Sequence, residues 1–217
     1  MSAAIPQKAT IHIVDDDDSL RTAMARLLRA TGYSVVIYPS AGEFLLAQPV
    51  DHRGCLLLDL RMPGPSGLDL QEALARRGVT LPIIFLTGYG DVPACARAMK
   101  AGAVDFLTKP VKRDALLVAI ASALAREEKV HAARERYGFW LQRFESLTKR
   151  EREVFEHVVS GALNKQIAAG IGAAERTVKA HRGHVMTKMG VSSLADLVRA
   201  AEELRRGGQW AVGQAEQ

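Results

Sequence analysis

The run Cys55-Leu56-Leu57-Leu58-Asp59 limits the folds open to this chain more than any other stretch. Successive side chains of a strand point to opposite faces, so three leucines in a row need apolar cover on both sides. A central strand of a parallel sheet, held between two layers of helices, meets that need. Asp59 then ends the run, before Leu60-Arg61-Met62-Pro63-Gly64. In an open parallel sheet, chemistry gathers at the carboxyl ends of the strands. A carboxylate fixed there is placed to react.

The flanking segments extend the pattern. Strands are expected at Thr10–Val14, Ser34–Tyr38, Gly54–Asp59, Leu81–Thr87 and Val104–Leu107. Helices are expected between them, over 19–31, Ala41–Ala47, Ser66–Arg77 and Asp91–Ala101, and another begins at Arg113. Ser19 is read as the cap of the first helix, and Gly32, Gly78 and Gly102 as stops. Five strands alternating with five helices make a doubly wound α/β domain, here assigned to residues 9–125. The side chains at its strand ends are Asp15 and Asp16, Asp59, Thr87 and Lys109.

Adjacent acids after the first strand and a third acid after the third strand form a carboxylate pocket. Crowded carboxylates repel, so the pocket calls for a cation, and all-oxygen ligands suit Mg²⁺. Asp59 can then act as a nucleophile and form an acyl phosphate. Thr87 is placed to hydrogen-bond one phosphoryl oxygen and Lys109 to pair with another. Asp17 and Asp18 read as helix N-terminal charge and capping.

The second half differs in charge and in period. Residues 123–217 hold 16 Lys and Arg against 12 Asp and Glu, whereas residues 1–122 hold 13 against 12. A basic half suggests an anionic partner. Residues 126–146, rich in Ala, Arg and Glu, read as a helical linker, with Gly138 weakening a single unbroken helix. Tyr137, Trp140, Leu141 and Phe144 recur at helical spacing, which fits either a packed linker or a coiled-coil dimer seam. From residue 147 to 206 the pattern is all helical. Thr148 and Glu151 make a capping box for Lys149–Ser160. Asn164–Ile171, a turn at Gly172 and Glu175–Met189 form a helix-turn-helix, and Ser193–Arg205 a further helix. Along Glu175–Met189, Arg176, Lys179, His181, Arg182, His184 and Lys188 give a basic side, while Val178, Val185 and Met189 share an apolar one. The tail from Gly207 to Gln217 is expected to fray.

Cys55 and Cys95 lack metal-ligand spacing and read as reduced thiols. No apolar run reaches the roughly 18 residues of a membrane span, and Met1–Thr10 lacks a signal-peptide core. Both point to a cytoplasmic protein with no membrane partner.

Two resemblances sharpen these expectations. Asp15-Asp16, Asp59 with Met62-Pro63 and Ser66-Gly67, Thr87-Gly88 and Lys109-Pro110 resemble the receiver domain of two-component response regulators. The stretches from Thr87 to Pro93 and from Ala98 to Phe106 are similar to the FixJ branch. The resemblance implies a sheet order of 2-1-3-4-5 and phosphorylation of Asp59 by a sensor histidine kinase. It implies Mg²⁺ on Asp16, Asp59 and the backbone carbonyl of Arg61, with Asp15 acting through water, and a cis Lys109–Pro110 bond. Phe106 stands where many receivers carry a Tyr switch residue, so a switch with Thr87 would work by ring burial.

Leu147-Thr148-Lys149-Arg150-Glu151, Asn164-Lys165-Gln166-Ile167-Ala168, Arg176-Thr177-Val178-Lys179-Ala180-His181 and Lys188-Met189 resemble a LuxR-type DNA-binding domain. That resemblance puts Lys179, Ala180 and Gly183 at base edges, with His181 on the same helix. It puts Thr177, Arg182, Lys165 and Lys188 on phosphates. Gly183 has no side chain to read a base, so base reading leans on Lys179 and Arg176. The implied whole is a transcription factor, not an enzyme acting on a separate substrate. It would dimerise on phosphorylation, bind a promoter in double-stranded DNA and work with RNA polymerase. An aspartate-nucleophile phosphatase would want a second acid two residues past Asp59, and Arg61 stands there.

Overall fold

The computed structural model describes residues 9–47, 53–88 and 92–207. The expected helix start at Asp91, the segment 1–8 and the tail beyond Gly207 lie outside the described residues. The chain divides into two compact units, one running to His131 and the other from Ala132.

In the first unit the strands are β1 (Thr10–Val14), β2 (Ser34–Tyr38), β3 (Gly54–Asp59), β4 (Ile83–Thr87) and β5 (Asp105–Thr108). The helices are α1 (Asp18–Ala30), α2 (Ala41–Ala47), α3 (Gly67–Arg76), α4 (Val92–Lys100) and the start of α5 (Arg113–Glu145). The strands form one parallel sheet in the order β2-β1-β3-β4-β5, as expected. The leucine run explains itself in the two cores. Leu56 and Leu58 pack with Phe44, Leu70 and Phe85 on one face. Cys55 and Leu57 pack with Leu28, Ile84 and Ile120 on the other. Each fully buried leucine contributes roughly 1.5–3 kcal/mol.

Several element ends differ from expectation. The cap of α1 is Asp17, not Ser19: its carboxylate accepts from Ser19 N at 2.9 Å and Leu20 N at 3.1 Å. A carboxylate also complements the positive end of the helix, which a serine does less well. β4 begins at Ile83 rather than Leu81; Pro82 has no N–H and serves only as the acceptor for Leu56 N at 2.8 Å. β5 is displaced by one residue, although Val104 N still donates to Ile83 O at 2.8 Å. Gly138 does not interrupt α5, which runs unbroken for 33 residues. The division between units falls within that helix.

The second unit packs α6 (Lys149–Val159), α7 (Asn164–Ile171), α8 (Glu175–Met189) and α9 (Leu194–Arg206) around Phe155, Ile167, Val178, Val185 and Leu197. Tyr137, Trp140, Leu141 and Phe144 of α5 pack against this core, so the apolar stripe is packed as one of the two expectations had it. Phe144 meets Phe155 edge-on at 5.2 Å. Gly172, at φ +63°, makes the left-handed turn between α7 and α8 that other residues rarely adopt. No described helix is long and apolar enough to cross a membrane.

Candidate functional site

β1, β3 and the segment after β5 bring Asp15, Asp59 and Lys109 together. Asp15 is fully buried and Asp59 nearly so, while Asp16 is exposed. One carboxylate oxygen from each of the three acids lies within 4.8 Å of the other two. The Lys109 ammonium stands 2.9 Å from Asp15 Oδ2 and 2.9 Å from Asp59 Oδ1. One cation thus serves two buried anions, with Asp16 at the rim. Burial pushes the Asp59 carboxyl above its ordinary value; Lys109 opposes the shift, and Asp15 and Asp16 add to it. For Lys109, burial works against the charge, yet the hydrogen bonds to Asp15 and Asp59 carry its pKa above the ordinary value.

The surrounding backbone fixes these groups. Asp17 N donates to Asp15 Oδ1 at 2.9 Å. Arg21 of α1, which sequence reasoning passed over, is buried; it donates to the Asp15 carbonyl and to Asp18 Oδ1, each at 2.6 Å. Its signal was a cation four residues beyond Asp17 on the face of α1 that carries Met24 and Leu28. Ser66 and Asp69 form a capping box at the start of α3. Gly67 lies so close to β3 that a Cβ there would meet the Asp59 carbonyl oxygen at 2.3 Å. Thr87, buried at the end of β4, donates from Oγ1 to Gly88 O at 3.0 Å. Phe106 is half-exposed on β5. Arg61 is exposed, two residues beyond Asp59. The Lys109–Pro110 bond is cis.

In the second unit α8 presents Arg176, Thr177, Lys179, Ala180 and Gly183 to solvent, and α7 presents Lys165. His181, Arg182 and Lys188 are half-buried. Arg182 donates to Asn164 Oδ1 at 3.1 Å, tying α8 to α7. Lys188 is engaged inward: its ammonium bonds Glu151 Oε2 at 2.6 Å and Ser146 O at 3.3 Å. Glu151 accepts from Thr148 N as well, and the Lys188 hydrogen bond chiefly holds its carboxyl down at about 2. The capping box revealed Glu151, but not its partner 37 residues away.

The arrangement is a buried aspartate in a carboxylate–lysine pocket, followed by an exposed basic helix on a helix-turn-helix. Comparison with known proteins agrees with both halves. Residues 11–121 match the family described as "Response regulator receiver domain", and residues 145–201 match "Bacterial regulatory proteins, luxR family". Nodulation protein W of Bradyrhizobium diazoefficiens is 48% identical over 197 residues, covering 91% of this chain and 87% of that protein. The transcriptional regulatory protein FixJ of Azorhizobium caulinodans is 42% identical over 200 residues, covering 91% and 93%. The solved structure of response regulator StyR matches with a TM-score of 0.83 at 45% identity, covering 91% of this chain and 100% of that one. The chain belongs to the two-component response regulators that join a receiver domain to a LuxR-type DNA-binding domain. It is a transcriptional regulator of that kind.

Proposed function

We propose that Asp59 is the phosphoacceptor and that its phosphorylation switches DNA binding. The observation that carries this reading is the Lys109 ammonium held 2.9 Å from both Asp59 and Asp15 at the strand ends. An Asp59 oxygen attacks the phosphorus of a sensor histidine kinase's phosphohistidine; the P–N bond breaks and the imidazole leaves with its electron pair. Lys109 then exchanges a carboxylate partner for a phosphoryl oxygen, and Thr87 Oγ1 turns from Gly88 O to another. Three carboxylates sharing one ammonium leave negative charge uncompensated, and their all-oxygen donor set fits Mg²⁺. Asp16, Asp59 and the Arg61 carbonyl would hold the ion, with Asp15 acting through water. When bound, Mg²⁺ neutralises charge on the transferring phosphoryl group.

With Thr87 drawn inward, the Phe106 ring rotates from its half-exposed position into the space vacated. The altered surface near α4 and β5 then pairs with a second copy, and a dimer reads two half-sites. On α8, Lys179 and Arg176 reach base edges, with His181 beside them. The bare positions Ala180 and Gly183 permit close approach. Lys165, Thr177 and Arg182 contact phosphates. Lys188 acts through Glu151, positioning α8, rather than as a free phosphate contact. RNA polymerase is the downstream partner, the setting is the cytoplasm, and the only reactions catalysed are those of Asp59 itself.

The test is intact mass and sedimentation with Mg²⁺ and acetyl phosphate. Wild type should gain about 80 Da, the mass of one phosphoryl group, and shift toward dimer. Asp59→Asn should do neither. A mass gain persisting in Asp59→Asn would move the acceptor elsewhere and end this reading.

A further inference from the structure

Arg21 stands where an arginine is costly. It is 7% exposed, it lies near the positive end of α1, and its Nε–H is buried without a hydrogen bond. Burial penalises the charge, and the helix terminus disfavours a cation. A methionine would fill the space at less cost. The reason for an arginine lies in what its other two nitrogens hold. Nη2 donates to Asp18 Oδ1 at 2.6 Å, but the Asp18 side chain is 82% exposed, and an exposed pair adds little. Nη1 donates to the Asp15 carbonyl at 2.6 Å, and this bond is buried.

That carbonyl belongs to the planar peptide joining Asp15 to Asp16. The residues on either side are fixed separately. Asp15 N donates to Tyr38 O at 3.3 Å, and Asp17 N to Asp15 Oδ1 at 2.9 Å. The Asp17 carboxylate caps α1, and Asp17 O accepts from Arg21 N at 2.9 Å. Asp16 stands exposed between them, so its direction is set by its own backbone. Of the four acids Asp15–Asp18, Asp15 and Asp16 share the cluster with Asp59, while Asp17 turns to the helix cap and Asp18 to Arg21.

We infer that Arg21 is a positioning residue for the metal site: by holding the Asp15–Asp16 peptide, it aims the Asp16 carboxylate at the oxygens of Asp15 and Asp59. The inference rests on the Mg²⁺ reading of the pocket given above. Charge alone predicts the opposite sign. Arg21 is a cation close to the pocket, so removing it should help a divalent cation to bind, and removing the Asp18 charge should hinder it. Positioning through the carbonyl predicts that loss of Arg21 weakens binding and that loss of the Asp18 charge hardly matters.

The test titrates MgCl₂ calorimetrically into the full chain, without a phosphodonor. Wild type should bind saturably. Arg21→Met should raise the Kd about tenfold, the scale of losing a group that orients a ligand. Asp18→Asn should stay within about twofold of wild type. Arg21→Gln also removes the charge but keeps a polar end; it should weaken binding as well, so the test stands if Arg21→Met does not fold. Acetyl phosphate supplies a second readout. In Arg21→Met the Mg²⁺ concentration giving half-maximal phosphorylation should rise by the same factor, while the rate at saturating Mg²⁺ stays within about twofold of wild type. Unchanged or tighter Mg²⁺ binding in the folded Arg21 variants would overturn the inference. So would equal weakening in Asp18→Asn, which would make the effect one of charge, or a lower saturated rate with unchanged half-saturation. No Mg²⁺ binding by wild type would overturn the metal reading of the pocket itself, and this inference with it.

Discussion

Asp59 and Glu151 are hidden to nearly the same degree, 5% and 4% exposed, yet their carboxyl groups move in opposite directions. Asp59 is pushed up and Glu151 is held down at about 2. Burial by itself would raise both. The difference is company. Glu151 has an ammonium of its own, a backbone N–H and a threonine hydroxyl nearby, so its charge is answered. Asp59 shares one ammonium with Asp15 and stands near Asp16. A satisfied carboxylate anchors structure; an under-satisfied one keeps a demand for a cation and a reason to react.

The largest test of that contrast leaves both acids in place. Gly67→Ala would drive a Cβ against the Asp59 carbonyl oxygen and the Phe85 ring, and α3 would have to lift. A loss of about 3 kcal/mol in the first unit is expected, measured by urea unfolding followed by circular dichroism, with slower phosphorylation of Asp59. If stability is unchanged, the close seating of α3 does not hold the pocket. Next, Glu151→Ala should cost the second unit about 2 kcal/mol, discounted because Lys188 can turn to water. Trp140, packed in that unit, reports the loss by fluorescence. Asp59→Asn should act with the opposite sign, raising first-unit stability by about 1 kcal/mol as a crowded charge is removed. A destabilised Asp59→Asn variant would mean that Lys109 already compensates the pocket fully.

Acid should separate the two sites most gently. Glu151 ionises below its ordinary 4.5 when folded, so its contribution is complete above pH 4.5 and fades as pH falls toward 2. Asp59 has a raised folded pKa, so its ionised form opposes folding, and that penalty disappears as pH falls through the folded value. Urea midpoints taken at intervals across this range should show the second unit weakening, and Glu151→Gln should flatten that slope. An unchanged slope in Glu151→Gln would assign the acid sensitivity to other carboxylates.

Much of this was legible in the chain. β-Branched and leucine runs located the strands, and the acids at their ends located the pocket. The Thr148 cap and the turn at Gly172 located helix ends; Ser66 was read as the first residue of its helix, and the structure makes it the cap. What escaped were partnerships set by distance in space. The sharing of Lys109 between two acids and the Lys188–Glu151 pair depend on how elements pack, and local pattern carries no trace of it. Gly138 misled for a related reason. Its intrinsic cost of roughly 1 kcal/mol is real, but Tyr137, Trp140, Leu141 and Phe144 bury themselves on either side and outweigh it. At the start of α1 two residue types were read as capping, Ser19 and the acids Asp17 and Asp18, and it is the Asp17 carboxylate that takes the free N–H groups.

Glu151 also ties together two events in time. Its carboxylate completes the first turn of α6 and, through Lys188, the last turn of α8. Neither end can loosen without releasing the other. Amide hydrogens at those two turns, 37 residues apart along the chain, should therefore exchange with solvent at matched rates, and Glu151→Ala should uncouple them.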